Sequence, residues 1–217
     1  MTAAAAMAAL PRGRTLPEEV WLRRHRWMTL LVWSQAIMLT TYGLLAGQAI
    51  PHSLLEGVPV ATCALIAGAG GLPRRARTGA VAIGLLTSSA VLVHLMEGRI
   101  EAHFHFFVMV TILATYEEWF PYLMGVGYVV LHHGIAGGLV PASVYDHPAA
   151  IEQPWKWAGV HAIFITALGA ANIVGWRLNE EVRQQMRRTE GRFRSAFDQA
   201  PIGMAIVTPA GRFLPSP

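Results

Sequence analysis

Residues 101–119 read EAHFHFFVMVTILATYEEW, and this stretch decides the class of fold. Between Glu101 and Glu117 it contains no Asp, Glu, Lys or Arg, although two histidines lie near its start. A helix needs about 20 apolar residues to cross the hydrocarbon core of a bilayer. Over the whole chain 53% of residues are hydrophobic and 14% are charged, whereas a soluble domain carries about 25% charged residues. The sequence therefore predicts an all-α membrane protein.

Similar apolar runs occur on both sides of this stretch, and together they predict a bundle of six transmembrane helices. Most connections between the runs are short, and the longest is 141–156. Each run approaches the length that a membrane-spanning helix requires. The predicted spans are 27–46, 53–72, 79–96, 102–119, 122–140 and 157–176.

Blocks of arginine predict the orientation of this bundle. They precede the first span at 23–26, separate the second span from the third at 73–77, and follow the sixth span at 177–188. Because cytoplasmic loops carry an excess of Lys and Arg, we expect both termini in the cytoplasm and only Arg99 and Lys156 outside. The cytoplasmic arginine blocks then account for the net charge of +4. The expected partner of the chain is therefore the lipid bilayer rather than nucleic acid.

The character of the chain changes after the sixth predicted span. Residues 177–197 read RLNEEVRQQMRRTEGRFRSAF, in which apolar residues recur mostly at helical spacing. We expect a cytoplasmic signalling helix at 178–198 that pairs with a second copy to form a homodimer; the alternative is an amphipathic helix on the membrane surface. The predicted organisation is a disordered cytoplasmic tail at 1–20, the membrane bundle at 21–177, and this helix.

Seven of the nine histidines fall in the outer half of the predicted bundle, and five of the six spans supply them. Ionisable groups inside a bilayer are costly and are functional candidates by default, although a single membrane histidine is more often a hydrogen-bond partner between helices. We expect His25 to be an interfacial residue and His147 a solvated one. The candidate metal ligands are His52, Glu56, His94, Glu101, His103, His105, His132, His133 and His161, with Glu97 orienting a ligand.

Helical geometry divides these candidates further. Glu101 and His105 share one face of a helix, whereas His103 points about 200° away from His105. His132 and His133 diverge by about 100°, so one of them is expected to bind and the other to brace a neighbouring helix.

The residue types indicate the chemistry of the cluster. Imidazoles with carboxylates and without thiolates are typical ligands of a transition metal such as Cu, Fe or Zn. Haem held by two histidines is the main alternative. A proton relay or a quinone site is a further interpretation of ionisable groups at this depth.

Several motifs in this part of the chain resemble known proteins. They read HLMEGRIEAHFHFFVMV at 94–110, YEEWFPYL at 116–123, YVVLHHGI at 128–135 and VYDHPAAIEQPWKWAGVHAIF at 144–164. Together they resemble the His-rich six-helix membrane input region of bacterial signalling proteins, which precedes PAS, diguanylate cyclase, phosphodiesterase, histidine kinase or chemoreceptor modules. The later segment FRSAFDQAPIGMAIVTPAGRF is similar to the opening of a PAS domain, which implies that 199–217 is the truncated start of one.

The resemblance implies a sensory input domain of the bacterial inner membrane that has no catalytic activity of its own. The histidine cluster, rather than the resemblance, is the basis for expecting that the domain detects a metal ion, a gas or a redox species. Two other classes also gather histidines from several helices. A membrane metal-dependent oxygenase or hydrolase is disfavoured because the chain lacks a repeated HxxxH pattern and a nucleophile beside a base. A transporter is disfavoured because there is no internal repeat and the inner half lacks a polar pathway.

Overall fold

The computed structural model describes residues 10–13 and 16–199, and within them the chain is all-helical, with no strand. Most of the predicted amino-terminal tail and, apart from Gln199, the whole PAS-like segment lie outside the described residues. The elements in chain order are α1 Glu18–Leu45, α2 Ile50–Gly68, α3 Arg74–Leu95, α4 Ile100–Ala114, α5 Trp119–Leu131, a π-helical turn His132–Ala136, α6 Gly137–Leu139, a 3₁₀ turn Pro141–Ser143, α7 Pro148–Glu152 and α8 Pro154–Asp198.

A helix overlaps each of the six predicted spans, but the helices differ in length. Among the described residues, α1, α2, α3 and the Pro154–Phe197 part of α8 are long and apolar enough to cross a membrane. Helix α4 is apolar but has 15 residues, and α5 gives way to the π-helical turn after 13 residues. The apolar helices are compatible with a membrane protein, and the count of six spans stays a prediction.

Helix α3 is the centre of the bundle and packs against α1, α2, α4 and α5. Its interior face combines Val81, Leu85 and Leu86, which are fully buried, with small residues. A Cβ at Gly84 would lie 2.8 Å from Val32 Cγ1 and 2.9 Å from Cys63 Cβ. Small residues allow helices to approach closely where there is no water to drive them together. Gly84 therefore allows α1, α2 and α3 to meet.

One end of the bundle, called here the arginine end, carries Arg24, Arg74 and Arg77. His25 lies among them, yet it is 1% exposed: its Nδ1 is 2.7 Å from the Tyr116 hydroxyl and its Nε2 is 2.9 Å from the Ala67 carbonyl. Since the carbonyl only accepts, Nε2 carries the proton and Nδ1 accepts from the phenol. His25 is therefore a buried connection between three parts of the bundle rather than the interfacial residue expected from the sequence.

Two glutamates balance the positive charge at the arginine end. Glu117 lies 3.3 Å from Arg24 Nη1, and Glu118 accepts from Arg74 Nε at 2.8 Å. Both carboxylates are nearly buried. Buried charges are normally paired in this way because leaving one unpaired is costly.

The chain divides into two compact units, Met1–Trp176 and Arg177–Pro217. In the described part of the second unit, α8 has exposed apolar side chains at Leu178, Val182, Met186 and Phe193. The ion pair between Arg177 and Glu181 at 2.7 Å joins residues one turn apart, as expected for a solvated helix.

Candidate metal site

Three buried histidines meet at the end of the bundle opposite the arginine end, called here the histidine end. The buried triad consists of His103 from α4, His133 from the π-helical turn and His161 from α8, with exposed fractions of 1%, 3% and 8%. Their ring centroids are 5.2 Å (His103–His133), 5.3 Å (His103–His161) and 4.7 Å (His133–His161) apart. One ring nitrogen of each lies within 4.8 Å of the corresponding atoms of the other two.

The backbone fixes the protonation of all three rings in the same way. Nδ1 of His103 donates to the Arg99 carbonyl at 3.0 Å, Nδ1 of His133 to the Val129 carbonyl at 3.0 Å, and Nδ1 of His161 to the Trp157 carbonyl at 2.9 Å. In each case the acceptor is the residue one helical turn earlier. Because a carbonyl only accepts, Nδ1 must carry the proton and Nε2 keeps its lone pair. The Nε2 atoms of His103 and His133 are buried without a hydrogen-bond partner among the described residues.

The π-helical turn decides how His132 and His133 face. Such turns insert one extra residue into a helix and are frequent at functional sites. His133 enters the buried triad, whereas the His132 ring lies 5.1 Å from His133 and 5.0 Å from Phe106. His132 Nδ1 is also buried without a hydrogen-bond partner among the described residues. His132 therefore lies beside the triad rather than in it.

Tyr145 covers the triad, and no sequence motif singled this residue out. Its ring is parallel to that of His103 at 6.1 Å and lies 6.2 Å from that of His161. Gly98, at φ +80°, lets the loop approach, since a Cβ there would lie 2.8 Å from the Tyr145 carbonyl carbon. The Tyr145 hydroxyl is buried without a hydrogen-bond partner among the described residues. Burial raises the pKa of the phenol, which therefore stays a neutral donor.

An apolar groove of about 640 Å³ lies between α5 and the Pro154–Trp176 part of α8, and two members of the triad line it. His133 and His161 are its polar lining residues next to the triad, and the rest of the lining is mostly aliphatic and aromatic, including Tyr122, Trp155 and Ile165. A small ligand in this groove would reach the two imidazoles without crossing a polar barrier.

A second group of candidate ligands lies on different helices. The surface triad consists of His52 and Glu56, one turn apart on α2, and His94 in the last turn of α3. Glu56 Oε1 is 3.4 Å from His52 Nε2 and 3.5 Å from His94 Nε2. The two histidine side chains are 48% and 58% exposed.

The remaining predicted ligands lie outside both groups. Glu97 and Glu101 are exposed, and His105 Nδ1 is 2.8 Å from the Ser89 hydroxyl on α3. The two histidines of α4 face different neighbours: His103 turns toward His133 and His161, and His105 turns toward Ser89 on α3. Helix α4 contacts other helices on both sides, so the angle alone could not tell which side holds the cluster.

The residue set of the buried triad suits a transition metal. Neutral imidazole binds Zn, Cu and Fe, and a hydrogen bond to the second ring nitrogen orients such ligands in metalloproteins. Three protein ligands leave a coordination position open for a small molecule.

His147 was expected to be a solvated residue of the outer loop. Its Nδ1 instead accepts from the Ala150 backbone amide at 3.2 Å, so it caps α7 and is not simply solvated.

Comparison with known proteins relates the chain to one signal transducer. It is 36% identical over 196 residues to "Transducer protein Htr8" of Halobacterium salinarum, an alignment that covers 84% of this chain and 30% of that relative. The chain thus spans less than a third of the length of the relative that it matches. No family model matches the chain, and no solved structure matches it. The match supports the relationship to signalling proteins that the sequence motifs indicate.

Proposed function

We propose that the chain is the membrane sensory input domain of a signal-transduction protein and that the buried triad holds a transition metal ion, Cu, Fe or Zn, that senses a metal, gas or redox ligand. The observation that carries this proposal is the common arrangement of the three rings. Each Nδ1–H is used by a backbone carbonyl, and each ring keeps one lone pair for a shared centre.

The distances require little rearrangement to bind an ion. Three atoms within 4.8 Å of one another lie at most about 2.8 Å from a common centre, so each moves by no more than about 0.7 Å to reach a metal–nitrogen distance of ~2.1 Å. A buried polar atom without a partner costs about 1–3 kcal/mol. Metal binding would remove that cost for the Nε2 atoms of His103 and His133.

The ring spacing favours a single ion over haem. Two imidazoles on opposite sides of a haem iron have centroids roughly 6 Å apart, because each metal–nitrogen bond is about 2 Å long. The three pairs in the triad are 4.7–5.3 Å apart, and the third ring occupies space that a porphyrin would need. Haem bound by two members of the triad is therefore the less favoured alternative.

The membrane setting follows from the arginine blocks. We place the protein in the inner membrane as a multi-pass protein, with the arginine end and both termini on the cytoplasmic side. The triad then lies toward the outer surface. The name of the similar transducer supports a role in signal transduction rather than catalysis, and the output reaction belongs to a module beyond the membrane bundle.

Helix α8 is the proposed carrier of the signal because it supplies His161 and extends to Asp198. Between Pro154 and Trp176, a range that the structure describes completely, only His161, Ile165 and Trp176 are buried. A helix with so few buried contacts can move at low cost. We propose that ligand binding at the metal shifts this helix and that its exposed stripe, Leu178, Val182 and Met186, pairs with a second copy.

The proposal is tested by metal analysis of the purified chain in lipid nanodiscs after reconstitution with Cu, Fe or Zn. We expect about one tightly held ion, and X-ray absorption that shows about three nitrogen ligands at roughly 2.0–2.1 Å and no sulfur. Less than a tenth of an equivalent of every metal would refute the metal centre. A Soret band in the absorption spectrum would instead establish haem.

A further inference from the structure

The three side chains of the surface triad converge at distances longer than those of good hydrogen bonds. Glu56 Oε1 lies 3.4 Å from His52 Nε2 and 3.5 Å from His94 Nε2. Both distances exceed the 2.7–3.2 Å of a good N–H···O hydrogen bond. All three ligand atoms nevertheless lie within 4.8 Å of one another. The three side chains therefore converge without forming well-made bonds among themselves.

The same distances match those between neighbouring ligand atoms of a bound metal ion. In a tetrahedral zinc site with bonds of about 2.1 Å, neighbouring ligand atoms are about 3.4 Å apart. The two measured nitrogen–oxygen distances are close to this value, so Glu56 and each histidine are already spaced as ligands of one ion. His52 and Glu56 achieve this from one turn of α2, because residues four apart lie on the same face of a helix.

The surface triad is distinct from the buried triad in its helices, chemistry and exposure. Its ligands come from α2 and α3, whereas those of the buried triad come from α4, the π-helical turn and α8. It includes a carboxylate, which is 16% exposed. The two histidines are about half exposed, so an ion there would exchange directly with the aqueous phase at the histidine end.

We propose that His52, Glu56 and His94 form a second, solvent-accessible site for a divalent transition cation of the zinc type. Two imidazole nitrogens and one carboxylate oxygen bind the ion, and water completes the coordination. The site exchanges its ion faster than the buried triad and binds it more weakly, because its ligands are partly solvated and are not fixed by backbone carbonyls. This inference does not depend on the metal centre proposed above.

Titration with Zn²⁺ of the purified, metal-free chain in nanodiscs tests the proposal. We expect two sites, of which the weaker one loses at least tenfold in affinity in His94→Ala and in Glu56→Gln. His147→Ala serves as the matched control, because this histidine lies in the outer loop outside both groups, and it should change neither site. His133→Phe should abolish the tight site and leave the weaker one.

These variants separate failure of this proposal from failure of the buried centre. A single site that is lost in His133→Phe and unchanged in His94→Ala would overturn the surface site alone. A single site that is lost in His94→Ala and kept in His133→Phe would confirm it and refute the buried centre. Equal losses in His94→Ala and His147→Ala would mean that any accessible histidine binds Zn²⁺, which would overturn the proposal.

Cu²⁺ provides a second readout that does not depend on affinity. Electron paramagnetic resonance of the His133→Phe variant loaded with one equivalent of Cu²⁺ should show coupling to two imidazole nitrogens, from His52 and His94. His52→Ala in the same background should reduce this to one. An unchanged number of coupled nitrogens would overturn the proposed ligand set.

Discussion

Two histidines on the same helix should behave in opposite ways when each is replaced by phenylalanine. His103 and His105 are two residues apart on α4, but His103 belongs to the buried triad and His105 bonds to Ser89. His103→Phe is expected to remove metal binding at the buried triad without destabilising the metal-free protein. His105→Phe is expected to destabilise the protein and to leave metal binding at the buried triad intact.

The magnitudes follow from the hydrogen bonds of each ring. His103→Phe loses one bond, from Nδ1 to the Arg99 carbonyl at 3.0 Å, at a cost of about 1 kcal/mol, but it also removes a buried nitrogen without a partner, which relieves about 1–3 kcal/mol. The net change in the stability of the metal-free protein is therefore about zero or favourable. His105→Phe loses its bond to Ser89 at 2.8 Å without such relief, so it costs about 1 kcal/mol.

The effect on metal binding is larger. Loss of a residue that only orients a ligand lowers metal affinity about 10–100-fold, so loss of the ligand itself should lower it by at least about 100-fold, or about 2.7 kcal/mol. Competition against a chromophoric chelator measures this affinity, and thermal unfolding of the metal-free proteins in nanodiscs measures stability. His103→Gln is a control for the larger volume of the phenylalanine ring, and it should lose the metal to the same extent as His103→Phe. Equal metal loss in His103→Phe and His105→Phe would refute the assignment of the triad.

Two further predictions concern other parts of the molecule. Tyr116→Phe removes the donor to His25 Nδ1 at 2.7 Å and should destabilise the protein by about 1–2 kcal/mol without changing metal content; a loss of metal would mean that the two ends of the bundle are coupled. In a Cys63→Ala background, Val182→Cys should form a disulfide-linked dimer under mild oxidation, whereas Gln184→Cys, on the opposite face of the helix, should not. Equal yields from the two positions would contradict pairing through the exposed stripe.

The sequence predicted the helices well because hydropathy is a local property. A helix overlaps each of the six predicted spans, and the apolar runs were sufficient to locate them. It did not predict the length of α4 or the π-helical turn after Leu131, since both depend on how neighbouring helices pack. It also could not find Tyr145, because a tyrosine in a loop has no periodic pattern that assigns it to a face.

The candidate ligands were predicted as a set but not as an arrangement. The sequence placed seven histidines at one end of the bundle, because alternating spans bring alternate helix ends together, and six of those residues and Glu56 are divided between the two triads or lie next to one of them. His105 and the two exposed glutamates, Glu97 and Glu101, have other surroundings.

The sequence by itself therefore determined an all-helical, apolar chain with imidazoles concentrated at one end, since composition and spacing along the chain suffice for that. Only the tertiary structure decided that His103 rather than His105 meets His133 and His161, and that His52, Glu56 and His94 form a separate group. The physical reason is that each residue turns a helix by about 100°, while the rotation of each helix against its neighbours is set by packing around α3. The motif EAHFHFF contains two histidines in similar sequence surroundings. The position of α4 between its neighbours determines that His103, and not His105, joins the buried triad.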